Sequence, residues 1–200
     1  MRRARIMLAA AAALAGMAAA PPASASPAEP GLFDAAGYRT ARYRSPVRAD
    51  PAPAEPISLA AAMALRAGTD AVFVDVTPAD GGVRDPDSGT WTLAEAHLTI
   101  PGALWHPETG RAPVDADLWH ALKRAIHAAR RAAPGKPVVV FCRIDCWMSW
   151  NAARRLGLQG VGNVRWLAEG TDGWQAAGGA LVAAVPVAVP HAKVHGQEEK

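Results

Sequence analysis

Residues 138–156 constrain the fold more than any other stretch. Val138-Val139-Val140-Phe141 is a short β-branched and apolar run with no polar face, as expected of a strand buried on both sides in a parallel sheet. It runs straight into Cys142-Arg143-Ile144-Asp145-Cys146. The residues from Trp147 to about Leu156 then read as a helix. A strand, a short turn and a helix in that order belong to an open α/β sheet, and the turn falls at the carboxyl end of the strand, where such sheets bind ligands. The chain has two cysteines and both lie in this turn. A thiol facing a helix N-terminus has backbone N–H groups and the helix dipole to stabilise its anion. That setting lowers a thiol pKa and makes a nucleophile or a persulfide carrier.

The rest of the pattern agrees with such a sheet. Asp50 to Pro56 is a Pro-rich connector that cannot be helical. Ser58 caps a helix predicted from Leu59 to Arg66 and ended by Gly68. Ala71 to Val76 reads as a second buried strand, and residues 77–99 as a long polar loop. Ile100 to Trp105 is a turn and a short strand. Asp115 to Arg131 is an amphipathic helix, with Leu118, Leu122 and Ile126 on one face, acids at its start and arginines at its end. Val164 to Leu167 is a further strand. Thr171-Asp172 caps a short helix that carries Trp174 and stops near Gly178-Gly179. Strands alternating with helices predict a single open, mostly parallel α/β sheet flanked by helices. Asp75 and Cys142 share its ligand-binding end.

The ends of the chain read differently. Arg2, Arg3 and Arg5 precede an apolar stretch from Ile6 to Ala20, and Ala23-Ser24-Ala25 follows as a small-residue cleavage site. This predicts a signal peptide over residues 1–25 and a periplasmic protein; an uncleaved anchor is the alternative. The apolar stretch is short for a membrane span, and no later stretch is long enough for one. The formal charge of +3 belongs to this segment: without its three arginines the chain holds 18 basic and 18 acidic residues. Nucleic acid and anionic membranes are therefore not expected partners. Residues 26–56 form an arm and connector. Phe33, Tyr38 and Tyr43 make the part from Leu32 to Val47 too apolar for a linker, so it is expected to pack on a domain spanning 57–182. Residues 183–200 read as a flexible tail.

At these landmarks the sequence resembles a rhodanese-like domain. Val74-Asp75-Val76 is similar to that family's strand-plus-aspartate motif. His97-Leu98-Thr99-Ile100-Pro101-Gly102-Ala103 is similar to its first signature, with the histidine displaced by one residue. Cys142 falls where the catalytic cysteine falls, and Glu169-Gly170-Thr171-Asp172-Gly173-Trp174 through Gly179 is similar to the second signature. A narrower resemblance joins Gly37-Tyr38-Arg39, Tyr43-Arg44, Cys142 to Asn151 and Glu169 to Trp174. It is to exported proteins known as the pyrroloquinoline-quinone-dependent catabolism-associated CXXCW motif family, and it implies a periplasmic protein accompanying quinoprotein alcohol oxidation. Here three residues, not two, separate the cysteines.

The rhodanese resemblance implies that Cys142 carries a persulfide in a loop whose N–H groups hold the anionic sulfur, with Arg143 attracting an anionic donor. Ile144, Asp145, Trp147, Met148 and Ser149 are the other candidate binding residues. Trp147 and Met148 stand where a basic residue often completes the anion site, which weakens a thiosulfate reading. A phosphatase loop fares worse, because no arginine closes it before Arg154.

Cys146 makes a resolving or relay thiol, and a bridge to Cys142 is within reach. So small a loop constrains the unfolded chain little, which favours redox or sulfur transfer over an inert disulfide. An inert disulfide and a Cu(I) site remain alternatives. Asp75 is expected to support the cysteine loop, Ser149 to cap the helix or bond the sulfur, and Trp91 and Trp105 to roof the pocket. No cofactor is expected. The partners expected are a small sulfur donor or a thiol redox partner, and a periplasmic quinoprotein dehydrogenase. A non-catalytic module binding Cu(I), quinone or that dehydrogenase is the alternative function.

Overall fold

A computed structural model describes residues 31–192; the predicted signal peptide and the last eight residues lie outside them. The elements in chain order are β1 (Glu55–Pro56), α1 (Leu59–Met63), β2 (Val72–Asp75), β3 (Val83–Arg84), β4 (Trp91–Thr92), β5 (Leu98–Thr99), β6 (Leu104–Trp105), α2 (Ala116–Ala129), β7 (Val138–Phe141), α3 (Trp147–Leu158), β8 (Val164–Leu167), α4 (Gly170–Ala176) and β9 (Val182–Ala183). The main sheet has the order β1-β8-β7-β2-β6, and every pairing in it is parallel. The apolar run Val138–Phe141, β7, is its central strand.

Both faces of the sheet are covered, and the period of two along each strand sends alternate residues to each. Val72, Val74, Val138 and Val140 meet Trp119, Leu122 and Ile126 of α2 and Ala152, Ala153 and Leu156 of α3. Phe73, Val139, Phe141 and Leu167 meet Ala62 of α1 and Trp174 of α4. Each β7 side chain is fully buried, an arrangement worth about 1.5–3 kcal/mol per large apolar side chain relative to exposure. Just beyond β7, Thr171 of α4 donates its N–H to the Cys142 carbonyl at 2.9 Å.

The sequence reading needs three corrections. The Ser58 hydroxyl does accept from Ala61 N–H, but α1 is shorter than expected and ends at Met63. Thr171 and Asp172 lie inside α4, and Glu169 takes the cap position without a side-chain bond. Residues 183–192 are not a flexible tail. Strand β9 pairs with β5, Val187 donates its N–H to Trp105 at 2.9 Å, and Val189 packs against Leu118 and Ala121 of α2. The physical reason is Val187 and Val189, which pack with Trp91 against Leu118 and Ala121 of α2, while Val182 and Val185 stay exposed.

Candidate functional site

The cysteine loop begins where β7 ends. Cys142 is fully buried and Cys146 is 3% exposed; the two form a disulfide with Cα atoms 6.3 Å apart. Asp145 sits in left-handed backbone (φ 52°), which turns the chain back towards α3, and Cys146 occupies the cap position of that helix. Gly170 is at φ +55° behind the loop, where a Cβ would overlap the Cys142 carbonyl group. Only glycine fits there, and its absent side chain is what lets α4 pack directly on the loop.

The N-terminal arm lies across the loop from the other side. Residues Arg44 and Cys146 form an antiparallel bridge: Trp147 N–H donates to the Tyr43 carbonyl (2.8 Å) and Ser45 N–H to the Asp145 carbonyl (2.9 Å). The Arg44 guanidinium donates to the Ile144 carbonyl at 2.6 Å. The arm is fastened by Asn151 of α3. Its Oδ1 accepts from Arg39 N–H, and its Nδ2 donates to the Arg39 and Gly110 carbonyls, all within 2.9 Å. The Arg39 guanidinium is held over the rings of Phe33 and Trp147, at 5.3 and 5.0 Å from their centroids.

Two of the loop's N–H groups are therefore occupied from outside. Trp147 N–H, the first of the helix, goes to Tyr43. Ile144 N–H donates to the Asp172 carboxylate at 2.8 Å. Arg143, 55% exposed at its side chain, lies 3.9 Å from the same carboxylate. A cleft of about 400 Å³ opens beside the bridge and is lined by both cysteines, Arg143, Met148, Arg44, His97 and Asp172, among others. Among the described residues no group of three or more His, Cys, Asp or Glu side chains is placed to hold a metal ion.

Several expectations about individual residues change. Asp75 does not support the cysteine loop. Its carboxylate accepts from Thr77 N–H (2.8 Å) and Thr99 Oγ1 (2.6 Å) and bonds His97 Nε2 (2.8 Å), so it organises the loop before β6 instead. Ser149 neither caps the helix nor touches sulfur. Its hydroxyl donates to the Cys146 carbonyl (3.1 Å) and accepts from the Trp166 indole (3.0 Å). Trp147 turns under the arm, with its indole N–H on Ser45 Oγ at 3.0 Å. Ile144 and Asp145 are exposed and do not line the cleft; their backbone, not their side chains, shapes the loop. Trp105 reaches the cleft, but Trp91 packs beside Leu118 and Val189. His97, Arg44 and Asp172 are among the cleft residues missing from the sequence-based site. Each lies in a segment that carried a family resemblance, which was the available signal.

The sheet order, the cysteine at the end of its central strand and the helix behind it can now be compared with known proteins. The model of the rhodanese-like domain matches residues 58–177. The chain belongs to that family. The rhodanese-like domain spans every strand of the main sheet except β1, which joins its edge from outside. Among solved structures, the chain is similar to a protein of unknown function from Rhodopseudomonas palustris described as a possible tyrosine phosphatase. The identity is 19% over 64% of this chain and 85% of that one, with a TM-score of 0.41. It is also similar to a thiosulfate sulfurtransferase from Pseudomonas aeruginosa, at 20% identity and a TM-score of 0.43. That alignment covers 70% of this chain but only 22% of the sulfurtransferase. No curated protein matches the chain.

Proposed function

We propose that the Cys142–Cys146 pair of this rhodanese-like protein is a thiol–disulfide redox centre, exchanging with a dithiol or disulfide that enters the cleft. The observation that carries this reading is the loop itself. The bridge closes over a sequence separation of 4 beside an open cleft, while Ile144 and Trp147 N–H groups are bonded to Asp172 and Tyr43. A loop so short contributes little stability by constraining the unfolded chain, so exchange is the better reason for the pair. The Asp172 carboxylate lies 3.9 Å from Arg143 and offsets the charge that would attract an anionic donor such as thiosulfate.

Sulfur transfer is the second reading, favoured by the place of Cys142 at the carboxyl end of the central strand. On that reading the Cys142 thiolate takes a sulfane sulfur and becomes a persulfide. The Cys146 thiolate attacks its inner sulfur, hydrosulfide leaves, and the disulfide forms. The test is the intact mass of the reduced chain after exposure to thiosulfate or polysulfide, and separately to an oxidised dithiol. Loss of two hydrogens without gain of sulfur is the expected outcome. Gain of one sulfur atom by a Cys146→Ser chain, which cannot resolve a persulfide, and no such gain in Cys142→Ala, would establish the second reading in its place.

We further infer export through the signal peptide at residues 1–25, residence in the periplasm, and membership of the CXXCW group associated with quinoprotein-dependent alcohol catabolism. The support is that the segments carrying the narrower resemblance touch one another: Tyr43 and Arg44 meet the cysteine loop, Arg39 meets Asn151, and Asp172 meets Ile144. N-terminal sequencing of protein from a periplasmic fraction should begin at Ser26; a chain beginning at Met1 refutes the cleavage. On the alternative of a binding module, reduced protein would take Cu(I) tightly and lose it in Cys146→Ser.

A further inference from the structure

His97 of the cleft is held by a buried carboxylate, and the bridge itself uses neither group. The carboxylate belongs to Asp75, which ends β2 in register with Phe141, the residue before Cys142. It is fully buried, and one of its oxygens holds His97 Nε2 at 2.8 Å while also accepting from Thr99. A buried carboxylate on one ring nitrogen fixes that nitrogen as the N–H and leaves Nδ1 as the basic atom. The His97 side chain keeps 16% exposure, leans on the Trp105 ring at 4.4 Å between centroids, and lines the cleft together with Cys142 and Cys146.

We propose that His97, oriented by Asp75, is the proton-transfer group for exchange at Cys142–Cys146. The proposal rests on the redox reading above. A thiolate of the partner dithiol attacks one sulfur of the bridge. A new S–S bond forms, the Cys142–Cys146 bond breaks, and its electron pair leaves on the other cysteine as a thiolate. That thiolate takes a proton from the His97 imidazolium. The partner's second thiol then gives its proton to His97 Nδ1 and attacks the mixed disulfide. The partner leaves as a disulfide, oxidised by two electrons; the pair is left as one thiol and one thiolate beside a reprotonated His97. The charged groups sharing the cleft with His97 are Asp80 after β2, Glu95 on its own loop, Arg44 on the arm, Arg143 on the cysteine loop and Asp172 on α4, while Asp75 at the end of β2 holds the ring from beneath the surface. Asp75 is a positioning residue in this scheme.

The test is the rate at which iodoacetamide alkylates the reduced full chain between about pH 5 and 9, a range that spans an ordinary imidazole titration. The wild-type profile should differ in shape from that of His97→Gln. His97→Gln keeps an N–H donor for Asp75, and with it the local packing. This variant should alkylate about tenfold more slowly near neutral pH. Asp75→Asn should slow alkylation in the same direction, and it serves as the second reading should the His97 variant fold poorly. Wild-type and His97→Gln profiles that superimpose overturn the proposal. Exchange with dithiothreitol is measured alongside. A chain that exchanges without dependence on His97 loses only the proton-transfer role, whereas a chain that never exchanges overturns the redox reading on which the role depends.

Discussion

At the scale of single residues, two positions carry chemistry that is unusual for where they sit, one at the site and one in the core. Gly170 is held at positive φ against the Cys142 carbonyl. Gly170→Ala should therefore push α4 off the loop and cost more than about 2 kcal/mol in denaturant unfolding, combining backbone strain with overlap. A variant within experimental error of wild type would show that the contact is dispensable. His106 follows β6 and is 1% exposed, with no partner for its Nε2. Burial pushes its pKa down to about 4. Its folded pKa lies below the unfolded value of about 6.5, so the unfolded chain binds the proton first on acidification. Stability from a neutral His106 is then fully present above about pH 6.5 and lost as pH falls towards 4, by roughly 3 kcal/mol in total. Urea titrations across that window should show the slope, and His106→Phe should flatten it.

At the scale of elements, the arm is what separates this molecule from a bare sheet with a cysteine loop. It covers a bridge whose two cysteines are nearly inaccessible, and it is fastened through the three hydrogen bonds of Asn151. Asn151→Ala leaves two backbone carbonyls and one N–H of the buried fastening unpaired, at about 1–3 kcal/mol for each group so exposed. The arm should loosen, and a phosphine reductant should open the bridge about tenfold faster or more, since a factor of ten corresponds to about 1.4 kcal/mol of easier access. An unchanged rate would mean that the arm does not govern access. The same element shows what the sequence makes legible. Strands β2, β7 and β8 could be read directly because each is a short, mainly apolar run, and helix α2 because its apolar residues repeat at the helical period. Packing of the arm was legible from Phe33, Tyr38 and Tyr43. Its contact with Cys146 was not, because backbone-to-backbone bonds between Tyr43 and Trp147 leave no trace in side-chain identity. Asp75 was likewise recognisable as a buried acid at a strand end, while its partners, His97 and Thr99, come from a loop that has no period. The C-terminal strap was missed because its valines are few and follow a proline-rich rhythm that reads as coil.

At the scale of the whole molecule, both ends of the described chain pack onto the domain. The arm crosses the cysteine loop, and residues 182–192 run along β5, β6 and α2. The rhodanese-like sheet supplies a rigid carboxyl edge, and the disulfide sits there between the arm, α4 and the cleft. A pair built for structure alone would gain little from so short a loop in a domain with a continuous two-sided core. The most direct test is to equilibrate the full chain with thiol–disulfide buffers of graded potential and to count bridged and open forms by intact mass. An exchanging pair should interconvert, with a midpoint above about −300 mV, the region where labile and catalytic disulfides lie. A pair that stays bridged well below that potential would be a structural disulfide and would contradict the redox account.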